Sequence, residues 1–245
     1  PEEAVSAGLW EDRLGLLVSV SRAVSNAADP GQAAEDLRRQ INEARATPTG
    51  EGPSGQTGAS RVRLQRELLM GLLDIGAFEI GRFTLKSGIV SPFYIDLRKV
   101  PSDPRLLRVA GECYRTLSDR LEFDAFAGIP SAGLPLAAAA ALAAEKPMVY
   151  PRLDVKEYGT KRRVEGRYSE GDRVVLLDDL ITTGGSKIEA AEALRSAGLI
   201  VEDLVVLVER DPRGREQLAE AGIRLHAFSS ILDLLDICFT TGRID

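Results

Sequence analysis

The stretch VVLLDDLITTGGSK, residues 174–187, constrains this chain more than any other. Its first four residues are an unbroken apolar run, the pattern of a parallel strand covered on both faces. The strand delivers two carboxylates, Asp178 and Asp179, to its C-terminal end, and Thr182-Thr183-Gly184-Gly185-Ser186 then turns directly into a helix. Open α/β sheets hold their ligands at that edge. The two glycines let backbone approach a ligand closely, the hydroxyls and free N–H groups can donate, and the helix N-terminus favours negative charge. These features suit a phosphate. The carboxylates cannot bind phosphate, so they accept hydrogen bonds from sugar hydroxyls of the same ligand or hold a magnesium ion. A ribose 5-phosphate fits both halves. Two adjacent acids at the end of a buried strand are costly without a ligand, which weighs against a mere turn and helix cap.

Around this stretch the sequence alternates between helical and strand patterns. Residues 61–75 place Leu64, Leu68, Leu69 and Leu72 at helical spacing. Residues 83–85 and 93–95 read as short strands around a Lys86-Ser87-Gly88 turn, and residues 104–121 as a second helix. A strand at 123–128 precedes a helix at 133–145, with Pro135 in its first turn and seven alanines whose small side chains permit close packing on a sheet. Strands at 148–150, 204–208 and 225–228, with helices at 186–197 and ending at 219–222, complete a doubly wound, mainly parallel sheet. Residues 46–60 hold eleven Gly, Pro, Ser or Thr in fifteen positions and read as a flexible linker. Before it stand only a strand-like run at 16–20 and a helical pattern through Leu37 and Ile41 to Arg45, too little to build a core. The chain also begins at Pro1 without an initiator Met, so a piece of something longer is expected.

Composition removes several classes. Apolar residues at 44% and charged residues at 28% exclude disorder of the whole chain. The 31 basic against 37 acidic residues argue against a general nucleic-acid binder, so any anion site must be local. Residues 152–167 supply one such locality, with six basic and three acidic side chains. No apolar run is long enough to cross a membrane and no signal-peptide pattern opens the chain, so a cytoplasmic protein is expected. The two cysteines, Cys113 and Cys238, lack metal-type spacing and read as buried thiols. A P-loop and a dinucleotide fingerprint are both absent. The Gly128-Ile-Pro-Ser131-Ala-Gly133 run is one residue too long for a nucleophile elbow, and the single His226, in a strand-like run, reads as structural.

A hydrophobic strand followed by DDxxTTGGS resembles the ribosyl-phosphate signature of the type I phosphoribosyltransferases, which take phosphoribosyl pyrophosphate (PRPP) with Mg2+ and place a nitrogen base on C1 of the ribose. Within that superfamily, FTLKSGIVSPFYIDLR from Phe83, VKEYGTKRRVEG from Val155 and VERDPRGREQL from Val208 are each similar to orotate phosphoribosyltransferases. The resemblance runs from about Leu64 to the C-terminus. It implies a twisted, mainly parallel sheet flanked by helices, with a small hood and a mobile basic loop, working as a homodimer with loop residues acting across the interface. Its substrates would be PRPP and orotate and its cofactor Mg2+, held mainly by PRPP and through Asp178 or Asp179, with no nucleic-acid or membrane partner.

The same resemblance assigns roles. Asp178, Asp179, Leu180, Ile181, Thr182, Thr183, Gly184, Gly185 and Ser186 would bind the ribose 5-phosphate, and Lys86 would contact PRPP and orotate. Tyr94 and Ile95 would lie along the orotate, with Thr182 and Arg210 on its carboxylate and ring carbonyls. A guanidinium recognises a planar carboxylate bidentately, which gives Arg210 a physical rationale. Arg152, Lys156 and Tyr158 would reach the pyrophosphate from the loop of the neighbouring subunit, and Lys156, Arg152 and Asp179 form the expected catalytic set.

Three positions depart from the family pattern. Leu153 replaces a second basic residue, Ala132 replaces a lysine of the pyrophosphate loop, and Pro212-Arg213-Gly214 replaces a pair of glycines. Residues 1–45 have their own resemblance, to the last strand and helix of an orotidine-phosphate decarboxylase barrel, with Arg22 at a phosphate-binding position. The DxKxxD motif of that decarboxylase is absent, so only a C-terminal remnant is expected, followed by the linker at 46–60 and a transferase domain at 61–245. The rival readings are a purine or xanthine phosphoribosyltransferase and a non-catalytic PRPP-binding regulator. The KSG and KEYGTK motifs speak against the first. The missing helix-turn-helix pattern speaks against the second.

Overall fold

A strand of five or more apolar residues needs cover on both faces, and the architecture is built around meeting that need. The computed structural model describes residues 55–84, 90–152 and 163–242, with side chains from residue 61 onward. Lys86, Leu153, Lys156, Tyr158 and the N-terminal segment 1–45 lie outside the described residues. The chain divides into two compact units, Pro1–Val62 and Arg63–Asp245. The order of elements is α1 (Gly55–Asp74), β1 (Phe78–Thr84), β2 (Val90–Ile95), a 3-10 segment (Leu97–Ser102), α2 (Pro104–Ser118), β3 (Ala125–Gly128), α3 (Gly133–Ala144), β4 (Met148–Pro151), β5 (Val164–Glu165), β6 (Arg173–Ile181), α4 (Gly185–Arg195), β7 (Ile200–Glu209), α5 (Arg213–Glu220), β8 (Arg224–Ser230) and α6 (Ile231–Thr240).

The main sheet has the order β5-β4-β3-β6-β7-β8. All neighbours are parallel except β5, which pairs antiparallel with β4 at one edge. From β3 the chain moves outward to β4, then returns to place β6 on the other side of β3. The strand order therefore reverses between β3 and β6, and open sheets have a crevice at the C-terminal ends of such a pair. A separate two-stranded antiparallel hairpin, β1 with β2, forms the small hood.

Successive side chains of a strand point to opposite faces, and here the two faces fill two cores. Val175 and Leu177 of β6, with Val205 and Leu207 of β7 and Phe126 of β3, pack among Leu68, Leu69 and Leu72 of α1, Tyr114 of α2, Leu136 of α3 and Leu234 of α6. Val174 and Leu176, with Leu204 and Val206, pack against Ala190, Ala191 and Leu194 of α4 and Leu218 of α5. Each fully buried aliphatic side chain contributes about 1.5–3 kcal/mol. That apolar burial fixes β6 and so offsets the cost of the charges at its end.

Most elements differ from the sequence reading by a few residues at their ends, and two differences go further. The first helix begins at Gly55, inside the stretch read as linker, because a helix anchored by four buried leucines extends upstream at the small cost of adding single turns. The C-terminal helix α6 was not anticipated at all. Its signal is a capping box, in which the Ser230 Oγ accepts from the Asp233 N–H at 3.1 Å and the Asp233 carboxylate accepts from the Ser230 N–H at 2.7 Å. Ile231, Leu234 and Cys238 then bury one face.

The alanine-rich α3 packs closely on the sheet, where a Cβ on Gly128 would stand 2.9 Å from the Ala137 Cβ, and equally closely on α2. A Cβ on Gly111 would stand 2.8 Å from the carbonyl oxygen of Ala139. Gly111→Ala should therefore destabilise the domain by about 1–3 kcal/mol, read as a lower urea midpoint at unchanged slope. An unchanged midpoint would mean that the two helices can separate freely.

Candidate active site

Two carboxylates end β6, and they sit in different environments. Asp178 is only 5% exposed. Its Oδ2 meets the Nζ of Lys187 at 2.8 Å, its Oδ1 accepts from the Asp179 N–H at 2.9 Å, and its carbonyl accepts from the buried Tyr114 hydroxyl at 2.7 Å. Burial pushes the Tyr114 phenol well above its usual range, so it stays a neutral donor. Asp179 is less enclosed, and its Oδ1 accepts from the Leu180 N–H at 2.7 Å. Burial, and then the neighbouring Asp178 charge, push its carboxyl up to about 6, against the opposing pull of the Leu180 N–H and Lys187.

The loop that follows has the anatomy of an anion cradle. Thr183, Gly185 and Ser186 are exposed and Thr182 is half-buried. Helix α4 carries no side-chain cap at Gly184, so its first N–H groups are left for a ligand. A Cβ on Gly185 would meet nothing within 4 Å, which marks the open side of the cradle. Gly184 is held from behind, its N–H donating to the Gln217 Oε1 at 2.7 Å. Leu180 and Ile181 play a different part from the Thr and Gly positions. Leu180 is half-buried on the first core, and Ile181 is fully buried against Gly214 and so offers the site main chain only.

Neighbouring elements close in from three sides. A Cβ on Gly133 would lie 2.7 Å from the Leu177 carbonyl and 3.3 Å from the Asp178 Oδ1, so the start of α3 presses directly on β6 at the reversal of strand order. The Arg210 N–H donates to the Ile181 carbonyl at 2.8 Å, which places Arg210 beside the loop. Its guanidinium carbon stands 5.6 Å from the centre of the Phe93 ring, so β2 of the hood meets the same edge. Tyr94 is half-buried and its ring packs against Phe83, with centroids 5.6 Å apart. Ile95 is buried in the core, so its main chain rather than its side chain is what can lie along a ligand. Arg152 forms an ion pair with Glu165 at 3.0 Å. His226 meets Asp203 at 2.7 Å, and Asp203 stands opposite Val175 in register, towards the other edge of the sheet.

Four residues here were not singled out from sequence. Tyr114 and Gln217 lie on other elements and carry no local signal. Arg98 forks onto Asp96 at 2.6 and 2.9 Å, and Asp96 holds it firmly charged, with Tyr94 and Asp179 adding smaller contributions. Lys187 did have a signal, since a cation in the first turn of a helix opposes the helix dipole.

The raised Asp179 carboxyl has a measurable consequence. The folded chain binds its proton more tightly than the unfolded chain does, so stability is lost as pH rises from about 4 through about 6. Asp179→Asn should thus gain about 2–3 kcal/mol at pH 7, with the gain vanishing below about pH 4. Denaturation midpoints of both proteins across that range test this, and a gain independent of pH would contradict it.

The phosphoribosyl transferase domain family matches residues 105–221. A bifunctional enzyme PyrF/PyrE of Nostoc is 34% identical over 98% of this chain and 52% of its own length, so the match reaches into the N-terminal segment and the chain spans about half of that relative. An orotate phosphoribosyltransferase of Pyrobaculum islandicum is 42% identical over 67% of this chain and 86% of its own length. The crystal structure of orotate phosphoribosyltransferase from Aeropyrum pernix superposes with a TM-score of 0.62 at 36% identity, over 73% of this chain and 99% of that one. With the acid pair, the cradle and the arginine on one edge of the same fold, the chain belongs to the orotate phosphoribosyltransferase family.

Proposed function

We propose that the chain transfers ribose 5-phosphate from PRPP to orotate, giving orotidine 5′-monophosphate and pyrophosphate in pyrimidine biosynthesis. The observation that carries this reading is the placement of Asp178–Asp179, the 182–186 cradle and Arg210 together where the strand order reverses. The cradle N–H groups and hydroxyls receive the 5-phosphate, and the two carboxylates accept from the ribose hydroxyls. Arg210, stacked on Phe93, and Thr182 receive the orotate carboxylate and ring carbonyls, with Tyr94 and the Ile95 main chain along the ring. Positive charge builds on the ribose and negative charge on the leaving oxygens as the bond breaks. Lys156 and Arg152 stabilise the leaving group, Arg152 by exchanging Glu165 for pyrophosphate. Lys86 and Tyr158 complete the PRPP contacts. Orotate already carries an acidic ring nitrogen, so no dedicated general base is required.

The residues fit a magnesium ion that is shared with the substrate. Asp178 is already neutralised by Lys187, whereas Asp179 is ionised at a cost that a cation would relieve. Among the described residues no cluster of three His, Cys, Asp or Glu could cage a metal alone, and Mg2+ commonly relies on substrate phosphates for the remainder of its shell. When bound, it would neutralise charge on the departing pyrophosphate. The reading further includes a cytoplasmic homodimer, with loop residues of one subunit serving the other, and a decarboxylase-barrel remnant at 1–45 joined through residues 46–60. No helix among the described residues is long and apolar enough to cross a membrane.

The first test is Mg2+-dependent disappearance of orotate with PRPP, beside adenine, hypoxanthine, xanthine and uracil. Turnover of orotate alone is expected; turnover of a purine instead, or of no base, would overturn the assignment. Lys156→Ala should lower kcat by about 100-fold or more while PRPP binding persists. Arg210→Ala should raise the KM for orotate by about 10- to 100-fold. Mixing these two variants should restore activity if the loop serves the neighbouring subunit, and no recovery after proven subunit exchange would place the loop in its own subunit.

A further inference from the structure

Lys187 is a cation where elementary electrostatics disfavours one. It is the third residue of α4, in the turn that the aligned peptide dipoles make positive, and it is only 9% exposed. Removing an ammonium group from water is costly, and a buried ion pair is often replaceable by apolar side chains without loss of stability. Stability of the fold alone therefore gives a weak account of the pair.

The geometry gives a stronger one. A carboxylate held at one oxygen can still swing, because the terminal torsion of an Asp side chain is broad. Asp178 is held at both, by the Asp179 N–H on Oδ1 at 2.9 Å and by the Lys187 Nζ on Oδ2 at 2.8 Å. A carboxylate oxygen can accept more than one hydrogen bond, so the pinned oxygens retain acceptor capacity. The plane of the carboxylate, and with it the direction of that capacity, is thereby fixed. Lys187 also belongs to the same turn whose N–H groups open onto the cradle, and its Nζ approaches the Ser186 Oγ at 3.4 Å.

Resting on the ribosyl-phosphate reading of the site, we propose that Lys187 is a positioning residue: it pins the Asp178 carboxylate towards the ribose hydroxyls and locks the sugar-binding acid in register with the 5-phosphate cradle. It touches neither the sugar nor the phosphate. The competing account is that Lys187 only neutralises Asp178 so that the strand can be buried. The two differ in what they say about PRPP affinity of protein that is fully folded.

The experiment is calorimetric titration of PRPP with Mg2+ into the full chain, at a temperature where circular dichroism reports each variant folded. Lys187→Met should weaken PRPP binding by about 10- to 100-fold, the loss expected for one charge-assisted hydrogen bond. Asp178→Asn should weaken it similarly, and the double variant should bind no worse than Asp178→Asn alone, because Lys187 acts through Asp178. Lys187→Arg guards against a Met variant that fails to fold: it keeps the charge but displaces the donor. Positioning requires weaker PRPP binding by Lys187→Arg with stability retained. An affinity within twofold of wild type for either Lys187 variant, or penalties that multiply in the double variant, would overturn the inference alone. A wild-type chain that binds no PRPP would overturn the ribosyl-phosphate reading and this inference with it.

Discussion

A strand buried on both faces cannot end in charge without provision for that charge, and the placement of the site follows from how this is done. Strand β6 is enclosed through Leu177, and its next residue is an aspartate that is still almost wholly buried. The chain surrounds Asp178 with a lysine, a main-chain N–H and a tyrosine hydroxyl drawn from α4, β6 and α2. Those partners cannot move independently, because Tyr114 is itself a core residue and α4 packs on the opposite face through Ala190, Ala191 and Leu194. Both cores thus converge on one residue, the first through its main-chain carbonyl and the second through its carboxylate.

The hood meets this centre at Arg210. Arg210 continues the β6–β7 ladder by donating to Ile181, and its guanidinium then covers Phe93 of β2. The aromatic face attracts the cation and at the same time leaves the planar edge of the guanidinium for a planar partner. On the other side of β6, Gly133 is required because any side chain there would collide with the Leu177 carbonyl. A large group at that point would push α3 away from the crevice. On the side of Gly185 the edge is open, since a Cβ there would meet nothing within 4 Å.

Much of this was legible in the residues. The apolar run at 174–177, the acids after it and the TTGGS turn announce a ligand-binding strand–loop–helix unit from local pattern alone, because each of its parts is a short-range requirement. The partners of that unit were not legible. Gln217 reaches Gly184 from 33 residues away and Tyr114 reaches Asp178 from 64, and no periodicity encodes such pairings. Ile95 shows a finer limit: the resemblance places it along a ligand, and strand alternation, which turns its side chain into the core, leaves that part to its main chain. Helix α6 was available as a Ser230–Asp233 capping box followed by helical spacing of apolar residues, and was lost because a short apolar run is ambiguous between helix and strand.

Local rules fail together at one place, and that pattern carries meaning of its own. A lysine in the first turn of a helix, two adjacent acids in a buried strand and an uncapped helix N-terminus each oppose stability when taken singly. Natural chains tolerate such violations chiefly at functional sites, with the remainder of the fold supplying the compensation. Here the compensation is visible in the two aliphatic cores on either face of β6. Asp179 shows what remains uncompensated: its carboxyl is pushed up to about 6 by burial and by Asp178, so the free site holds a charge that its own surroundings disfavour. A ligand that brings hydroxyl donors or a shared cation to that oxygen relieves the charge upon binding. Part of the binding free energy is therefore stored in the unliganded edge of the sheet, in an acid whose charge its own surroundings disfavour.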